Sequence, residues 1–326
     1  MARRRRTTTI AGGLFALLTV LVTIVVSVSG SARGTAVPVR AAAAAPTAPA
    51  PATPPDLAGT LVAEHSLSIG GVKRTYRSIV PTAASQQALP LLVVLHGRGQ
   101  QPWTAVRSTG FLPYARQDRA VLVYPDGLAR SWNAGSGCCG AAGTRGTPDT
   151  AFVTAVIADA VHDLPVDPDR IYLVGYSNGG KLAWLLTCTH PTLFAAVATY
   201  GAAPLSPCQG AKPLPSLMAV GVHDHVLPMG GDPRVHPPLP STRVAADWLV
   251  QRDRCTAAPV TSTVGGAVLQ RWTQCAPGTE VDLAVYPGAD HYWPAAVSQL
   301  MWTFLDSRRL SAPVPPVLAG PRPTHV

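Results

Sequence analysis

Charged and aromatic residues are scarce in this sequence. Of its 326 residues only 13% are charged and 6% are aromatic, whereas 47% are hydrophobic. Beyond residue 57 there is no run of lysine and arginine with interleaved aromatics, which argues against a nucleic-acid partner. Internal repeats are also absent. A chain of this length and apolar content is long enough to build one large core.

The net charge of +9 is concentrated near the N-terminus. Six arginines against Asp56 alone place +5 in residues 1–57, which leaves +4 for the rest of the chain. The run Arg3–Arg6 precedes an almost uninterrupted apolar stretch from Ile10 to Val28. This pattern predicts a secretory signal peptide over residues 1–30. An uncleaved membrane anchor is the alternative, because the apolar stretch could nearly span a bilayer.

Two further segments have too little apolar bulk to form a core. Residues 31–57 are dominated by Ala, Pro and Thr, and residues 311–326 are rich in proline. We predict a flexible linker for the first segment and a disordered tail for the second. The globular domain is therefore expected to occupy residues 58–310.

Cysteine is sparse as well, and its spacing does not fit a zinc site. In an oxidising compartment an even set favours disulfides, and the set here is Cys138, Cys139, Cys188, Cys208, Cys255 and Cys275. We predict a Cys255–Cys275 disulfide, because Val264–Ala267 between them has the pattern of a hairpin turn. The remaining four form either a Cys188–Cys208 bridge with a vicinal Cys138–Cys139 pair, or cross-pairs.

Strands alternate with helices along the globular part. Strands are predicted over Val62–Ile69, Val72–Val80, Leu91–Leu95, Ala120–Tyr124, Ile171–Val174, Phe194–Thr199, Ser216–Val222 and Val281–Tyr286. Helices are predicted over Trp103–Gln117 (interrupted or ended near Pro113), Ala151–Leu164, Lys181–Cys188, Thr242–Gln251 and Val297–Ser307. Such alternation is typical of an α/β fold with a mostly parallel central sheet and helices on both faces.

The predicted strand Ile171–Val174 runs into Gly175-Tyr176-Ser177-Asn178-Gly179, which fits the pattern G-x-S-x-G. A serine in a sharp strand-to-helix turn has a strained backbone, and neighbouring glycines avoid a clash there. The turn exposes the Ser177 hydroxyl and directs the free amides at the helix N-terminus towards a reacting carbonyl. We therefore predict that Ser177 is a nucleophile.

A nucleophilic serine needs a base and an acid, and nine histidines compete for the first role. His291 closely follows the last predicted strand, at the end of a parallel sheet where sites assemble, so we predict it to be the general base. Asp224 follows the strand Ser216–Val222 and is predicted to accept a hydrogen bond from the imidazole. The chain order Ser, Asp, His is that of G-x-S-x-G hydrolases.

Two backbone amides should stabilise the oxyanion that forms during acyl transfer. One is predicted to come from Asn178, the residue after the nucleophile. The other is predicted to come from Arg98, because the glycines of Leu95–Gly99 allow the backbone to turn its amides inward. His96 in the same loop is predicted to be structural rather than a catalytic base.

Several blocks resemble secreted α/β-hydrolase esterases of the polyhydroxybutyrate depolymerase type, which are related to feruloyl and acetylxylan esterases. The matching blocks are Leu95–Gly97 with Gly99-Gln100, Tyr124–Gly127, Ser131–Gly135, Cys138–Gly140, Asp149–Val153, Val166–Ile171, Tyr176–Gly180 and His291–Pro294. The segment Gly221–Met229 departs from the family's pattern but keeps Asp224.

The resemblance implies an α/β-hydrolase fold and a Ser177–His291–Asp224 triad that hydrolyses esters through an acyl-enzyme, with no cofactor or metal. The substrate is expected to be a hydroxyalkanoate oligomer or a plant cell-wall acyl or feruloyl ester. Trp132 and Trp293 could flank an aromatic or sugar group, or could be packing residues. We expect a secreted monomer with no stable membrane contact unless the N-terminal segment is uncleaved. The alternatives are a cell-envelope acyltransferase and a non-catalytic binding protein on a hydrolase scaffold.

Overall fold

The computed structural model describes residues 55–84 and 88–310. The predicted signal peptide or anchor, most of the predicted linker and the predicted tail therefore lie outside the described residues. Within the described ranges, no helix combines the length and the apolar character needed to cross a membrane.

The strands of the described part form one ten-stranded sheet in the order β1-β2-β4-β3-β5-β6-β7-β10-β9-β8. They are β1 (Thr60–Ile69), β2 (Val72–Pro81), β3 (Leu89–Leu95), β4 (Val121–Pro125), β5 (Val166–Tyr176), β6 (Ala196–Tyr200), β7 (Ser216–Gly221), β8 (Val260–Val264), β9 (Ala267–Trp272) and β10 (Val281–Tyr286). The six central strands, from β4 to β10, run parallel. An antiparallel hairpin flanks them on each side.

Helices cover both faces of this sheet. They are α1 (Pro102–Ser108), α2 (Leu112–Arg116), α3 (Gly140–Thr144), α4 (Asp149–Asp163), α5 (Asn178–Thr189), α6 (Thr242–Arg252) and α7 (Val297–Asp306). Successive side chains of a strand point to opposite faces, so Leu91 and Val93 of β3 join the core under α4, α5 and α6. Leu92 joins the core under α1, α2 and α7. The predicted α/β-hydrolase architecture is thereby confirmed.

The largest differences from the predicted elements lie where the sequence pattern is weak. Residues 103–117, predicted as one interrupted helix, form α1 and α2, and Pro113 lies in the first turn of α2, a position where proline costs no intrahelical hydrogen bond. Strand β5 begins at Val166, because the polar segment before Ile171 continues the strand. The predicted turn Val264–Ala267 joins β8 and β9, which were not predicted as strands because β8 is polar and exposed and the apolar run of β9 is only three residues long.

Three disulfides are present in the described residues. Cys255 is paired with Cys275, as predicted from the turn between them. Cys188 is paired with Cys208, which ties the C-terminal end of α5 to the loop after β6. Cys138 is paired with its neighbour Cys139, so the vicinal alternative holds and the cross-paired one is wrong.

Candidate active site

Ser177 lies in the sharp turn between β5 and α5. Its backbone adopts φ 52° and ψ −119°, a region that non-glycine residues rarely occupy. The neighbouring glycines are required for packing, because a Cβ on Gly175 would lie 2.4 Å from the Cα of Gly180. A Cβ on Gly179 would lie 2.4 Å from the carbonyl oxygen of Leu95. The turn therefore has the strained, glycine-dependent geometry that the G-x-S-x-G pattern predicts.

The three predicted triad residues meet at the carboxyl ends of parallel strands. Ser177 follows β5, Asp224 follows β7 and His291 follows β10. The Ser177 Oγ lies 2.8 Å from His291 Nε2, and His291 Nδ1 lies 2.7 Å from Asp224 Oδ2. An ionised carboxylate only accepts hydrogen bonds, so Nδ1 carries the ring proton and Nε2 is left to accept from the serine hydroxyl.

The Asp224 carboxylate is buried and fully hydrogen-bonded. Its Oδ1 accepts from the backbone amides of Val226 at 2.8 Å and Leu227 at 2.6 Å. Burial alone would raise the pKa of Asp224, but the hydrogen bonds from His291 and from these amides outweigh it and hold the pKa below its usual value. The group is therefore an anion at neutral pH, as a partner for a developing imidazolium must be.

Two tyrosines fix the loop that carries His291, and the sequence reasoning missed both roles. The Tyr176 hydroxyl donates to the backbone carbonyl oxygen of His291 at 2.8 Å, and the Tyr200 hydroxyl donates to that of Asp290 at 2.6 Å. Burial raises the pKa of Tyr176 to about 12, so its hydroxyl stays protonated and can donate. Gly201 leaves room for the imidazole, since a Cβ there would lie 3.1 Å from His291 Nδ1.

We expect Tyr176→Phe to lower kcat by about three- to tenfold, because losing one hydrogen bond costs roughly 1 kcal/mol and here loosens the general base. Tyr172→Phe is the matched control, since the Tyr172 hydroxyl makes the same kind of bond to the carbonyl oxygen of Arg308, at 2.8 Å. Steady-state kinetics and thermal denaturation of both variants measure the effect. Equal loss of kcat in both would show that Tyr176 acts on stability alone.

The structure brings both predicted oxyanion donors to the cleft that contains Ser177. Asn178 is the first residue of α5, where backbone amides have no partner within the helix. In the loop after β3, the amides of Gly99 and Gln100 donate to backbone oxygens, whereas the Arg98 amide has no acceptor among the described residues. Both amides are thus available to a ligand.

The side chain of Asn178 has a second role that the sequence did not reveal. Its Oδ1 accepts from the Trp132 amide at 2.7 Å, and its Nδ2 donates to the Trp132 carbonyl oxygen at 2.9 Å. Asn133 extends this connection, since its backbone amide donates a hydrogen bond to the buried carboxylate of Asp149 at 2.7 Å. These bonds join the Ser131–Gly135 segment to the start of α5 and to α4, so they hold one side of the site in place.

Trp132 itself is fully buried, so of the two roles that the sequence left open for it, the structure fits packing and not substrate contact. Its Nε1 donates to the carbonyl oxygen of His96 at 2.8 Å, which explains why the ring lies beneath the loop. His96 donates from Nδ1 to the Gly97 carbonyl oxygen and accepts at Nε2 from the Gly127 amide. Burial lowers the pKa of His96 to about 4. His96 is therefore neutral and structural, as predicted.

Trp293 is half-buried and packs edge-on against the rings of Phe111, Tyr176 and Tyr200, at centroid distances of 5.8 to 6.0 Å. Its Nε1 donates to Ser298 Oγ at 2.9 Å. Its ring contacts the ring of Tyr176. Trp293 is not among the described residues that line the cleft. Its environment is that of a packing residue, the alternative that the sequence left open.

The cleft has a volume of about 240 Å³. Its lining residues in the described part are Arg98, Gly137, Cys138, Cys139, Gly140, Ser177, Asn178, Lys181, Val226, Val235, His236, Pro237 and Leu239. The described residues contain no group of His, Cys, Asp and Glu side chains that could hold a metal ion. A small ester group placed here would contact the nucleophile and both candidate donors.

A family model described as esterase PHB depolymerase matches residues 74–231. This match spans Arg98, Ser177 and Asp224. Over these residues the chain is similar to this esterase family. It is a carboxylic ester hydrolase of the polyhydroxybutyrate depolymerase and feruloyl esterase type.

Individual relatives agree with this assignment. NocK of Nocardia uniformis subsp. tsuyamanensis, assigned as an esterase, is 29% identical over 83% of this chain and 88% of its own length. Feruloyl esterase C of Emericella nidulans is 32% identical over 43% of this chain, and the match spans about half (51%) of its length. The crystal structure of a thermostable esterase shares the fold, with a TM-score of 0.55 and 20% identity over 78% of this chain and 64% of its own.

Proposed function

We propose that this esterase acts through a Ser177–His291–Asp224 triad, with the backbone amides of Arg98 and Asn178 as the oxyanion hole. The observation that carries the proposal is the unbroken hydrogen-bonded series Ser177 Oγ, His291 Nε2, His291 Nδ1 and Asp224 Oδ2, with both distances below 3 Å. Such a series is the arrangement that general-base activation of a serine requires.

The reaction follows from this geometry. His291 Nε2 takes the Ser177 proton as Oγ attacks the ester carbonyl carbon, and the two amides stabilise the resulting oxyanion. Collapse of the tetrahedral intermediate breaks the bond to the alcohol, which leaves with the proton from His291. Water then attacks the acyl-enzyme with His291 again as base, and the carboxylic acid is released while Ser177 regains its proton.

We propose a substrate among hydroxyalkanoate oligomers and plant cell-wall acyl or feruloyl esters. Support comes from sequence similarity to feruloyl esterases and to a bifunctional acetylxylan esterase/xylanase of Neocallimastix patriciarum. We also propose that the catalytic domain, residues 58–310, is an exported monomer, secreted or retained by the N-terminal segment. The three disulfides support export, because such bonds persist in oxidising compartments.

Labelling by a fluorophosphonate probe tests the proposed mechanism, since the probe phosphonylates an activated serine. We expect one adduct per chain, mapped by mass spectrometry to Ser177, and no adduct on Ser177→Ala. Ser136→Ala is the matched control, because Ser136 is an exposed serine in the loop before Cys138. Absence of an adduct on the native chain would contradict the mechanism and favour a non-catalytic binding protein.

A further inference from the structure

In the described part of the chain, two basic side chains, and no acidic one, line the cleft beside Ser177. They belong to Arg98 and Lys181. Neither side chain has an ion-pair partner or a hydrogen bond among the described residues, although eleven arginines of that part pair with acids. The other lysines and arginines without an ion pair in that part are exposed, as Arg98 is, whereas Lys181 is half-buried beside the nucleophile.

Lys181 lies one helical turn after the nucleophile. Its backbone amide donates to the Ser177 carbonyl oxygen at 3.0 Å, and residues four apart share one face of a helix. The side chain is half-buried. Burial lowers the pKa of its ammonium group and the positive charge of Arg98 lowers it further, whereas the Asp224 carboxylate raises it by a smaller amount. Desolvation and repulsion thus disfavour this charge on balance, and the attraction of an anionic ligand would offset them.

Arg98 reaches the same space from the opposite loop. Its side chain passes Gly140, where a Cβ would lie 3.3 Å from Arg98 Cδ. A guanidinium group presents paired N–H donors that match the two oxygens of a carboxylate. Because the backbone amide of the same residue is the proposed oxyanion donor, this exposed side chain begins next to the proposed position of the reacting carbonyl.

Apart from His236, the loop that completes the cleft contributes apolar side chains. Val226, Val235, Pro237 and Leu239 belong to one loop, which pairs with itself through the bridge between Asp232 and Leu239. The carboxylate of Asp232 is bound by Arg234, so it is not available to neutralise the cleft. A ligand that suits both walls has a hydrocarbon part and a negatively charged end.

We propose that the esterase selects esters that carry a free carboxylate, with Lys181 and Arg98 binding that group while the ester lies at Ser177. The inference rests on the proposed function, because it assumes that the scissile ester occupies this cleft. It narrows the substrate class from esters in general to the half-esters of dicarboxylic acids and the carboxyl-terminated esters of hydroxy acids.

Matched ester pairs test the proposal with the full-length protein. In one pair the charge is on the acyl side: mono-p-nitrophenyl adipate against its carboxamide analogue. In the other it is on the alcohol side: 4-acetoxybutanoate against 4-acetoxybutanamide. The readout is the ratio of kcat/KM for the carboxylate to that for the carboxamide. We expect a ratio of about ten or more in at least one pair, the size of a charge-assisted hydrogen bond.

Substitutions of Lys181 and Arg98 test whether these two side chains cause the preference for the carboxylate ester over the carboxamide ester. Lys181→Met and Arg98→Gln should each bring the ratio towards one, and Lys181→Glu should invert it by charge repulsion. Lys73→Met and Arg145→Gln, which alter exposed cations away from the cleft, should leave the ratio as it is. A ratio near one for both pairs in the native protein, or a high ratio that Lys181→Glu leaves unchanged, would overturn the proposal.

Failure of this inference is distinguishable from failure of the proposed function. Hydrolysis of the carboxamide esters, abolished by Ser177→Ala, reports the proposed function alone. If the native protein hydrolyses both members of each pair equally well, the triad mechanism stands and carboxylate recognition is wrong. If it hydrolyses neither member and takes no fluorophosphonate label, both are wrong.

Discussion

Ser177→Ala is expected to lower kcat for p-nitrophenyl butyrate by about 10⁴ to 10⁶, the range seen when a triad nucleophile is removed. The hydroxyl oxygen of Ser177 forms the bond to the substrate, and we expect no other side chain to replace it as the nucleophile. The residual rate over water should come from substrate binding and the oxyanion hole alone. KM should change little, since the amides of Arg98 and Asn178 are unaltered.

Traces of native enzyme would raise the apparent kcat of the variant, so their amount must be measured. Titration of the preparation with a fluorophosphonate probe sets the upper limit for contamination. Thermal denaturation serves as the control for folding, and Ser136→Ala as the control for loss of an exposed hydroxyl. A Ser177→Ala variant within about tenfold of native kcat would contradict nucleophilic catalysis by Ser177.

Asp224→Asn is expected to lower kcat by about 10⁴, although the shape of the site is preserved. The amides of Val226 and Leu227 both point at Oδ1, so the new amide group must keep its oxygen there and turn its NH₂ towards His291. That NH₂ donates to Nδ1, which then carries no proton. The ring proton moves to Nε2, and His291 can no longer accept from Ser177.

The pH dependence of the Asp224→Asn rate and a control substitution at a neighbouring aspartate make this prediction specific. At high pH a partly restored rate is expected, because hydroxide can replace the missing base. Asp290→Asn is the matched control: Asp290 precedes His291 in sequence, but among the described residues its side chain accepts a hydrogen bond from the Tyr292 backbone amide alone, at 2.8 Å. A larger loss of kcat in Asp290→Asn than in Asp224→Asn would reassign the acid.

The positions of the triad residues could be predicted from the sequence because each one depends on local information. Ser177, Asp224 and His291 each follow a strand with a continuous apolar pattern, and the ends of parallel strands meet at one edge of a sheet. The glycines around Ser177 are also a local requirement, since they avoid contacts created by the turn itself. The order of the strands along the chain and the distance of each residue from the end of its strand were enough to predict these three positions.

The supporting residues could not be predicted in this way, because their partners are distant along the chain. Tyr176 is 115 residues from the carbonyl that it binds, and the Asn178 side chain is 46 residues from Trp132. Nothing in the sequence around Trp132 distinguishes a ring beneath a loop from one at a surface. The hairpin of β8 and β9 was missed for another reason: the edge strand β8 is exposed throughout, so it has no apolar pattern.

The loop that forms the apolar wall closes on itself at its base. The Thr242 amide donates to the Met229 carbonyl oxygen at 2.8 Å, and the Gly231 amide donates to that of Pro228 at 2.8 Å. Asp224 is anchored before this closure, by Val226 and Leu227. We therefore expect residues 229–241 to tolerate exchange as one unit, because the segment 224–228 that holds Asp224 lies outside the closed part of the loop.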